Sequence, residues 1–560
     1  MKANETRVED FLSSNKTQFV IPVYQRNYDW TNSQCKQLLD DILEVGRNDS
    51  MNAHFIGSIV YIHDDVYTSS RIKELTIIDG QQRLTTLILI YVVLYKLAIE
   101  IGDSGLEQEI NETYLINKFA ADEKRLKLRP TDNNETALNF LLKNSNSEDY
   151  RGYSRLIENF DYFKNRIVKE NIDVVLNGLS KLMFVEISLE RGKDDPQKIF
   201  ESLNSTGLEL TQADLIRNYI LMGLRSEDQN KIYNEYWKDI ELCSKEESTN
   251  INRLSDFIRD FLTIENKKIS VKNRVYEDFK EKYPTSSVSN LELVLKELKQ
   301  LAKHYNKIIN PHNELDKDIQ RQLRYIDKLE VNVAHPFIMK VYDDYSKSVI
   351  DKQTFINILE LIQSFVWRRF VVGLPTNALN KIFMTLYDTD KSDGYLYSIQ
   401  KSLMRKKGSQ RFPLNTEVKD ALKVKDVYNI KSKNRIYLWE RLENYNNQEK
   451  VVIDGNQQIT IEHIFPQTPD IKWKKELGEE EFKYIKENYL NTVGNLTLSG
   501  NNGALGNKIF SEKRDLPEKG YRDSRLWLNK SLVDIDRWDI SAIEERYNLI
   551  VNRFFKIWNM

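Results

Sequence analysis

The chain has 560 residues, of which 40% are hydrophobic and 30% charged, and its formal net charge is -2. This length excludes a single hydrophobic core, and the composition predicts a folded, soluble protein of several domains. The nearly neutral charge excludes a uniformly basic protein, so any surface that binds nucleic acid must be a local cluster of Lys and Arg.

Three observations indicate a cytoplasmic protein without a membrane partner. The N-terminal stretch MKANETRVEDF carries Glu5 and Glu9 where a signal peptide would need an apolar segment. The most apolar run, LTTLILIYVVLY (84–95), has 12 residues, fewer than the roughly 20 that a membrane-spanning helix needs, and it predicts a buried helix. The two cysteines, Cys35 and Cys243, are far apart and fit a reducing compartment.

The chain changes character twice, which predicts three domains. Residues 1–225 mix helices with strand patterns and indicate an α/β unit, whereas 226–400 show apolar residues at helical spacing and indicate a helical middle domain. Residues 401–560 form the third predicted domain. The predicted strands of the first domain are FVIPVY (19–24), HFIGSIVYI (54–62), LTIID (75–79) and LMFVEISL (182–189).

The stretch IIDGQQRLTTL (77–87) joins a strand pattern to the apolar run through Asp79, Gly80, Gln81, Gln82 and Arg83. One interpretation is a polar turn in which the acid caps a helix. The other is a ligand site, because glycine allows a close backbone approach, a helix start offers free N–H groups, and arginine can bind phosphate. The residues alone leave both interpretations open.

The segment 401–435 is locally basic, with 11 Lys or Arg against 3 Asp or Glu. It is either a solvated linker or a strip that follows the DNA backbone. As a DNA-binding strip it would use Arg405, Lys406 and Lys407, and we also expect Lys508 to contact DNA.

The C-terminal region contains two motifs that together suit phosphodiester hydrolysis, ITIEHIFPQTP (459–469) and VGNLTLSGNNGALGNKIFSEKR (493–514). His463 ends a strand pattern beside Glu462 and can take a proton from water. Carboxylate and amide oxygens can hold a hard cation such as Mg²⁺ against a phosphate. A strand, strand, helix unit that carries His and Asn therefore predicts a nuclease site.

These C-terminal motifs resemble the HNH (ββα-metal) nuclease domain of GmrSD-type type IV restriction enzymes. The resemblance implies that His463 is the general base and that Asn495 holds the turn of the motif. It implies that Asn502 or Asn507 takes the third, metal-side position, and the Asn-rich loop leaves that choice open. Glu462 stands where many HNH enzymes have a metal-binding Asp, so the expected cofactor is Mg²⁺ or Mn²⁺.

Four N-terminal motifs resemble the DGQQR-containing ParB-like domain of the same enzymes: IPVYQRNYDW (21–30), HFIGSIV (54–60), IIDGQQRLTTL (77–87) and IFESLNSTGLELTQADLIRNYI (199–220). The resemblance implies nucleotide binding and hydrolysis, with GTP and ATP both open. The implied nucleotide-binding residues are Gln25, Arg26, Asp79, Gly80, Gln81, Gln82, Arg83 and Asn204. No GxxxxGK[ST] loop occurs in the sequence, which excludes a P-loop NTPase.

The expected fold class is mixed α/β and α: a ParB-like α/β domain, a helical middle domain and a ββα-metal HNH domain in a mainly helical setting. The expected function is a modification-dependent DNA endonuclease of bacterial anti-phage defence, under nucleotide control. Its expected partners are modified double-stranded DNA, a nucleotide and a second copy of the chain. Two alternatives stay open: a ParB-like DNA-binding regulator with a non-catalytic HNH unit, and a nuclease toxin directed at the host.

Overall fold

The computed structural model describes residues 1–63, 72–118, 120, 124–143, 147–190, 193–204, 210–284, 288–455 and 458–560. Its strands in chain order are β1 Lys2–Arg7, β2 Thr17–Val20, β3 His54–His63, β4 Lys73–Asp79, β5 Leu128–Arg129, β6 Leu182–Glu190, β7 Lys245–Glu246, β8 Ile251–Asn252, β9 Thr460–His463 and β10 Leu496–Ser499.

Its α-helices in chain order are α1 Val8–Ser13, α2 Asn32–Arg47, α3 Gln81–Ile101, α4 Ser104–Ile110, α5 Asp132–Lys143, α6 Arg155–Lys164, α7 Ile172–Ser180, α8 Pro196–Asn204, α9 Gln212–Leu221, α10 Ser226–Ile232, α11 Lys238–Cys243, α12 Leu254–Asn266, α13 Val275–Lys282, α14 Val288–Ile309, α15 Lys317–Leu329, α16 His335–Ser346, α17 Lys352–Val372, α18 Asn377–Leu386, α19 Tyr395–Met404, α20 Asn415–Val424, α21 Ser432–Asn444, α22 Ile471–Leu477, α23 Glu479–Asn488, α24 Asn502–Leu505, α25 Phe510–Arg514, α26 Trp527–Lys530 and α27 Ile540–Ile557. The mixed α/β and α fold class is confirmed.

The chain forms two compact units. Unit 1 contains residues 1–238 and 276–293, and unit 2 contains residues 239–275 and 294–560. The predicted boundary near 225 lies close to the end of the first segment of unit 1. The helices after residue 294 share one compact unit with the C-terminal region, and the predicted domain boundary at 400 stays a prediction.

Unit 1 is built on a six-stranded mixed sheet with the order β1-β6-β3-β4-β2-β5. β3 is parallel to β6 and antiparallel to β4, while β2 is parallel to both β4 and β5. The four predicted strand segments all contribute to this sheet, since their apolar residues fill its core. β1 was not predicted, because its sequence KANETR is polar and all but one of its residues are exposed.

Helix α3 is the central helix of unit 1 and covers the predicted apolar run. By length and composition it could cross a membrane, yet 67% of its most apolar stretch is buried inside the protein. Its residues from Leu84 to Leu94 belong to the hydrophobic core of the unit. The prediction of a buried helix is confirmed.

Helices α2 and α7 pack against each other at two glycines. A Cβ atom at Gly46 would lie 2.0 Å from the carbonyl oxygen of Val174, and one at Gly178 would lie 2.1 Å from the carbonyl oxygen of Ile42. Real side chains do not approach backbone atoms this closely. The two helices therefore touch backbone to backbone because both contact positions lack a side chain.

Unit 2 has a helical core in which α17 lies between α15 and α20, and α21 packs against α27. The fully buried Arg368 of α17 shows why the middle and C-terminal segments are one unit. Its guanidinium donates hydrogen bonds to the carbonyl oxygens of Pro413 and Trp558 and to Asn415 Oδ1. A charged group buried in this way needs all of these acceptors, so α17 is fixed to segments more than 40 residues further along the chain.

Candidate functional site

The strand pair β9–β10 presents the predicted nuclease residues in unit 2. The strands are antiparallel, with His463 opposite Leu496 and Glu462 opposite Thr497. The apolar residues around this pair, among them Ile464, Phe465 and Trp473, form a separate hydrophobic core. Helix α24 follows β10 directly, so the predicted order of strand, strand and helix is present.

His463 ends β9 and is 8% exposed. Its Nε2 lies 3.1 Å from Asn491 Oδ1, and its ring packs edge-on against Tyr428 at a centroid distance of 4.5 Å. Burial lowers the pKa of His463 from its usual value near 6.5. The imidazole is therefore neutral at neutral pH, which is the form that can accept a proton.

Asn495 is fully buried immediately before β10, where it holds the turn that follows His463. Its Oδ1 accepts hydrogen bonds from the Phe465 N–H at 2.8 Å and from Trp538 Nε1 at 3.0 Å. Its Nδ2 donates to the carbonyl oxygens of Phe465 and Leu490, both at 3.0 Å. With both ends of its amide bonded to protein, Asn495 stabilises the backbone beside the histidine and leaves no donor for substrate.

Glu462 lies in a buried ion pair. Its Oε1 accepts from Lys513 Nζ at 2.6 Å, and the same ammonium group donates to the carbonyl oxygen of His463 at 2.7 Å. The Lys513 side chain is 0% exposed. Lys513 therefore neutralises the charge of the Glu462 carboxylate and fixes the backbone at the end of β9. Because its side chain is fully buried, it cannot contact solvent or DNA.

The two remaining predicted metal ligands differ in their surroundings. Asn502 Nδ2 donates to Thr460 Oγ1 and the carbonyl oxygen of Ile461, while its buried Oδ1 has no hydrogen-bond partner among the described residues. Asn507 is exposed. Among the residues that the structure describes, no three His, Cys, Asp or Glu side chains converge as a metal site requires.

The predicted ligand set does not fit a divalent cation in this arrangement. Mg²⁺ and Mn²⁺ need several oxygen ligands and favour carboxylates. The one carboxylate of the set, Glu462, is compensated by Lys513, and Asn502 supplies a single free amide oxygen. The expected metal requirement therefore stays a prediction.

Five of the 11 basic residues of the segment 401–435 form ion pairs. The pairs join Lys401 to Asp393, Arg411 to Glu417, Lys423 to Glu544, Lys431 to Glu330 and Lys433 to Asp327. Arg405, Lys406 and Lys407 follow α19 and form no ion pair within the described part of the chain. Lys508 Nζ donates to the carbonyl oxygen of Ala504. The DNA-binding role of Arg405, Lys406, Lys407 and Lys508 stays a prediction.

The DGQQR stretch forms the junction between β4 and α3 in unit 1. Gly80 has a φ of 88°, and a Cβ atom there would lie 2.9 Å from the carbonyl oxygen of Ser58. Both the positive φ and the close approach to β3 require glycine. Asp79 and Arg26 are both half-buried. The side chain of Asn204 lies outside the described part of the structure.

The glutamines of this region bind protein backbone. Gln25 Nε2 donates to the carbonyl oxygen of Ile78, and Gln81 Nε2 donates to that of Arg26. Gln82 accepts from the N–H groups of Asp29 and Trp30 and donates to the carbonyl oxygen of Asn27. All three side chains are at least nine-tenths buried. They fix the segment 25–30 to the start of α3, so their role in the predicted ligand site is to hold the backbone around it.

Arg83 differs from the glutamines because it reaches a cavity of about 280 Å³. One N–H of its guanidinium donates to the carbonyl oxygen of Ser58 at 2.7 Å, and the remaining N–H groups keep the fork that binds phosphate. Burial lowers the pKa of Arg83, and the neighbouring Asp79 opposes the shift. The cavity is lined by Trp30, Gln34, Gln37, Leu38, Asp41, His54, Phe55, Ile56 and Arg83.

Several residues of both sites were missed by the sequence analysis. His54 lines the Arg83 cavity together with Trp30 and the 62% exposed Phe55. These three residues lie within the motifs IPVYQRNYDW and HFIGSIV, and that position was the available signal. Lys513 likewise lies within the motif 493–514, but nothing in the sequence pairs it with Glu462, 51 residues away. Asn491 lies outside the motifs, 28 residues from His463.

A second cavity, of about 260 Å³, lies in unit 2 among α12, α14 and α16. Arg253, Asp260 and His335 contribute to its lining. Burial raises the pKa of Asp260 and lowers that of His335 to about 4. None of the residues predicted for catalysis lines this cavity.

Comparison with protein families supplies the class of the protein. Residues 8–221 match the N-terminal domain of GmrSD restriction endonucleases, and residues 412–553 match the C-terminal domain of the same enzymes. No curated protein gives a significant match to the chain. The two matched domains define a restriction endonuclease, an enzyme whose substrate is DNA. The chain belongs to the GmrSD family of type IV restriction enzymes and carries both domains of the family in one polypeptide.

Proposed function

We propose that this restriction endonuclease is an HNH-type hydrolase that cuts modified foreign DNA in anti-phage defence, with His463 as its general base and a nucleotide as its regulator. The observation that carries the proposal is the state of His463. The side chain is buried, neutral and fixed at the end of β9, while Asn495 holds the following turn. A neutral histidine is suited to proton abstraction, and the position of His463 at the end of β9 in the matched C-terminal domain distinguishes it from buried histidines such as His335.

In the proposed reaction the neutral ring of His463 takes a proton from a water molecule. The oxygen of that water forms a bond to phosphorus, and the bond from phosphorus to one sugar oxygen breaks. The leaving oxygen is protonated by solvent. General-base catalysis of this kind contributes roughly 10²- to 10⁴-fold to a rate.

The nucleotide is proposed to occupy the cavity beside Arg83 in unit 1. Trp30 and Phe55 offer aromatic faces for a base, and Arg83 offers a guanidinium fork for a phosphate. A volume of about 280 Å³ is close to the lower end of ligand pockets, roughly 300 Å³, so the phosphates would extend from the cavity past Arg83. The ParB-like character of this domain and its NTPase activity are part of the same proposal.

A cleavage panel tests the proposed function. The substrates are one plasmid prepared without modification, with 5-methylcytosine, with glucosylated hydroxymethylcytosine and with phosphorothioate linkages, each with and without ATP or GTP. Every reaction is run with Mg²⁺, with Mn²⁺ and with EDTA. We expect cutting of at least one modified plasmid, none of the unmodified plasmid, and a change of rate with one nucleotide.

The other outcomes distinguish the alternatives. DNA binding without cutting under any condition would support a regulator, and cutting of unmodified DNA together with growth arrest on expression would support a toxin. Activity that persists in EDTA would contradict the expected metal requirement. Sedimentation of the same preparations measures whether the chain forms the expected homodimer.

A further inference from the structure

A chain of polar side chains connects the exposed Asp426 to the ring of His463 in unit 2. Asp426 Oδ2 accepts a hydrogen bond from Asn491 Nδ2 at 2.9 Å, and Asn491 Oδ1 lies 3.1 Å from His463 Nε2. Neither Asp426 nor Asn491 belongs to the motifs that predict the nuclease site. Asn491 contacts the imidazole at its Nε2 atom, and among the described residues Nδ1 has no hydrogen-bond partner.

The orientation of the Asn491 amide follows from its partner. A carboxylate only accepts hydrogen bonds, so Asn491 must direct its NH₂ group to Asp426 and its oxygen to His463. Asp426 is itself fixed, since its Oδ1 accepts from the N–H groups of Tyr428 and Asn429. The N–H of Val427 also donates to the carbonyl oxygen of Asn491 at 3.0 Å, which ties the two segments together.

The amide orientation in turn determines the histidine tautomer. An amide oxygen cannot donate, so a hydrogen bond between Asn491 Oδ1 and His463 requires the proton to be on Nε2. In a neutral imidazole Nδ1 then carries the free electron pair. The edge contact with Tyr428 restricts rotation of the ring that would exchange the two nitrogens.

We propose that Asp426 and Asn491 are positioning residues that hold His463 in the Nε2–H tautomer, with Nδ1 as the atom that accepts the proton of the attacking water. The inference rests on the proposed role of His463 as general base. It adds the residues that make one ring nitrogen basic: Asp426 precedes the strand, strand, helix unit, and Asn491 lies in the connection between its two strands.

The test is an exchange of the acid and the amide. In Asp426→Asn the new amide keeps its oxygen on the N–H groups of Tyr428 and Asn429, so its NH₂ group faces Asn491 and the Asn429 side chain, whose amide turns its oxygen toward it. The Asn491 amide must then turn its own NH₂ group to His463, which moves the ring proton to Nδ1. We expect cleavage of the best substrate of the panel to fall at least about tenfold, with unchanged DNA affinity.

The double variant Asp426→Asn/Asn491→Asp restores the pattern of donors and acceptors. The new amide at position 426 donates to the new carboxylate at position 491, which again accepts from His463 Nε2. We expect the cleavage rate to recover to within about threefold of wild type. A tenfold change in rate corresponds to about 1.4 kcal/mol. A merely structural role predicts the opposite, because the double variant would combine two losses.

Solid-state ¹⁵N NMR of sedimented full-length protein, labelled at the rings of its six histidines, reads the tautomer directly. The His463 signals are identified by their loss in His463→Ala. We expect a protonated Nε2 in wild type and in the double variant, and a protonated Nδ1 in Asp426→Asn. Asp420→Asn, which removes another exposed carboxylate of unit 2, should leave both spectrum and cleavage unchanged.

Two results would overturn the inference: a protonated Nδ1 in wild type, or a double variant that cuts no better than Asp426→Asn. These results are separable from failure of the proposed function. If wild type does not cut any DNA, the proposed function fails, and the NMR spectra still decide whether Asp426 and Asn491 set the tautomer.

Discussion

Arg83 is the residue of the DGQQR stretch on which the proposed ligand site rests. Gln81 and Gln82 donate to backbone carbonyl oxygens of the segment 25–30, so their loss would disturb the fold of unit 1. Arg83 instead has one hydrogen bond to Ser58 and faces the cavity beside Trp30. The interpretation in which Asp79 caps the helix is wrong, because the N-cap position of α3 is Gly80, and the ligand site stays a proposal.

Replacing Arg83 tests the nucleotide site. Arg83→Ala should lower the affinity for ATP or GTP at least about tenfold, because a phosphate loses charge-assisted hydrogen bonds worth about 1.5–3 kcal/mol. Arg83→Lys should restore only part of the affinity, since an ammonium cannot bind bidentately. The measurement is titration of a fluorescent nucleotide, with Arg129→Ala, a half-buried arginine paired with Glu74, as the control. Unchanged nucleotide affinity in Arg83→Ala would mean that the arginine has only a structural role.

The pKa of His463 sets the acid limb of the cleavage profile. Burial lowers this pKa below its usual value near 6.5, and the reactive form is the neutral ring. The midpoint of the acid limb should therefore lie below pH 6.5, with the rate falling as pH drops through that midpoint. Single-turnover cleavage at saturating enzyme measures the limb. A midpoint of the acid limb above pH 6.5 would show that the His463 ring is more exposed than in the structure, or that more negative charge lies near it.

The contact between α2 and α7 is an element-scale constraint on unit 1. Gly178→Ala would improve helix propensity by about 1 kcal/mol, but its new Cβ would lie 2.1 Å from the backbone oxygen of Ile42. The steric cost exceeds the gain in helix propensity, because overpacking of a closed contact typically costs about 1–3 kcal/mol. Urea denaturation should show a lower midpoint for Gly178→Ala. Gly223→Ala, where nothing lies near the new atom, is the matched control.

The segment after α19 is the element that should contact the DNA backbone. Lys406→Ala/Lys407→Ala removes two charges without acidic partners, so affinity should fall similarly for all sequences, and the slope of log affinity against log salt should decrease by about 2. Lys431→Ala/Lys433→Ala removes two charges that are paired with Glu330 and Asp327, and it should change the slope less. Equal slopes in the two double variants would make the segment 405–407 a solvated turn.

For the whole molecule, the sequence predicted elements better than connections. β3, β4 and β6 were predicted because alternating apolar residues determine a strand locally. The joining of the middle and C-terminal segments depends on Arg368, which in sequence resembles any surface arginine. The partner of Glu462 was equally hidden, since Lys513 follows 51 residues later.

The division of the chain into two units matters for how a restriction enzyme avoids cutting the DNA of its host. Each unit has its own candidate site: the Arg83 cavity lies in unit 1, and His463 lies in unit 2. A nucleotide bound in one unit can regulate chemistry in the other only if it has different affinity for the active and inactive states of the whole chain. The proposed control is thus a property of the complete molecule, and each unit alone would lack it.

The most direct measurement is single-turnover cleavage of the best modified plasmid by His463→Ala. We expect a rate roughly 10²- to 10⁴-fold below wild type, with unchanged DNA affinity and melting temperature. His312→Ala, which removes an exposed histidine of unit 2 paired with Glu247, should cut at the wild-type rate. Cleavage by purified His463→Ala at the wild-type rate would contradict the account, because the base would then lie elsewhere.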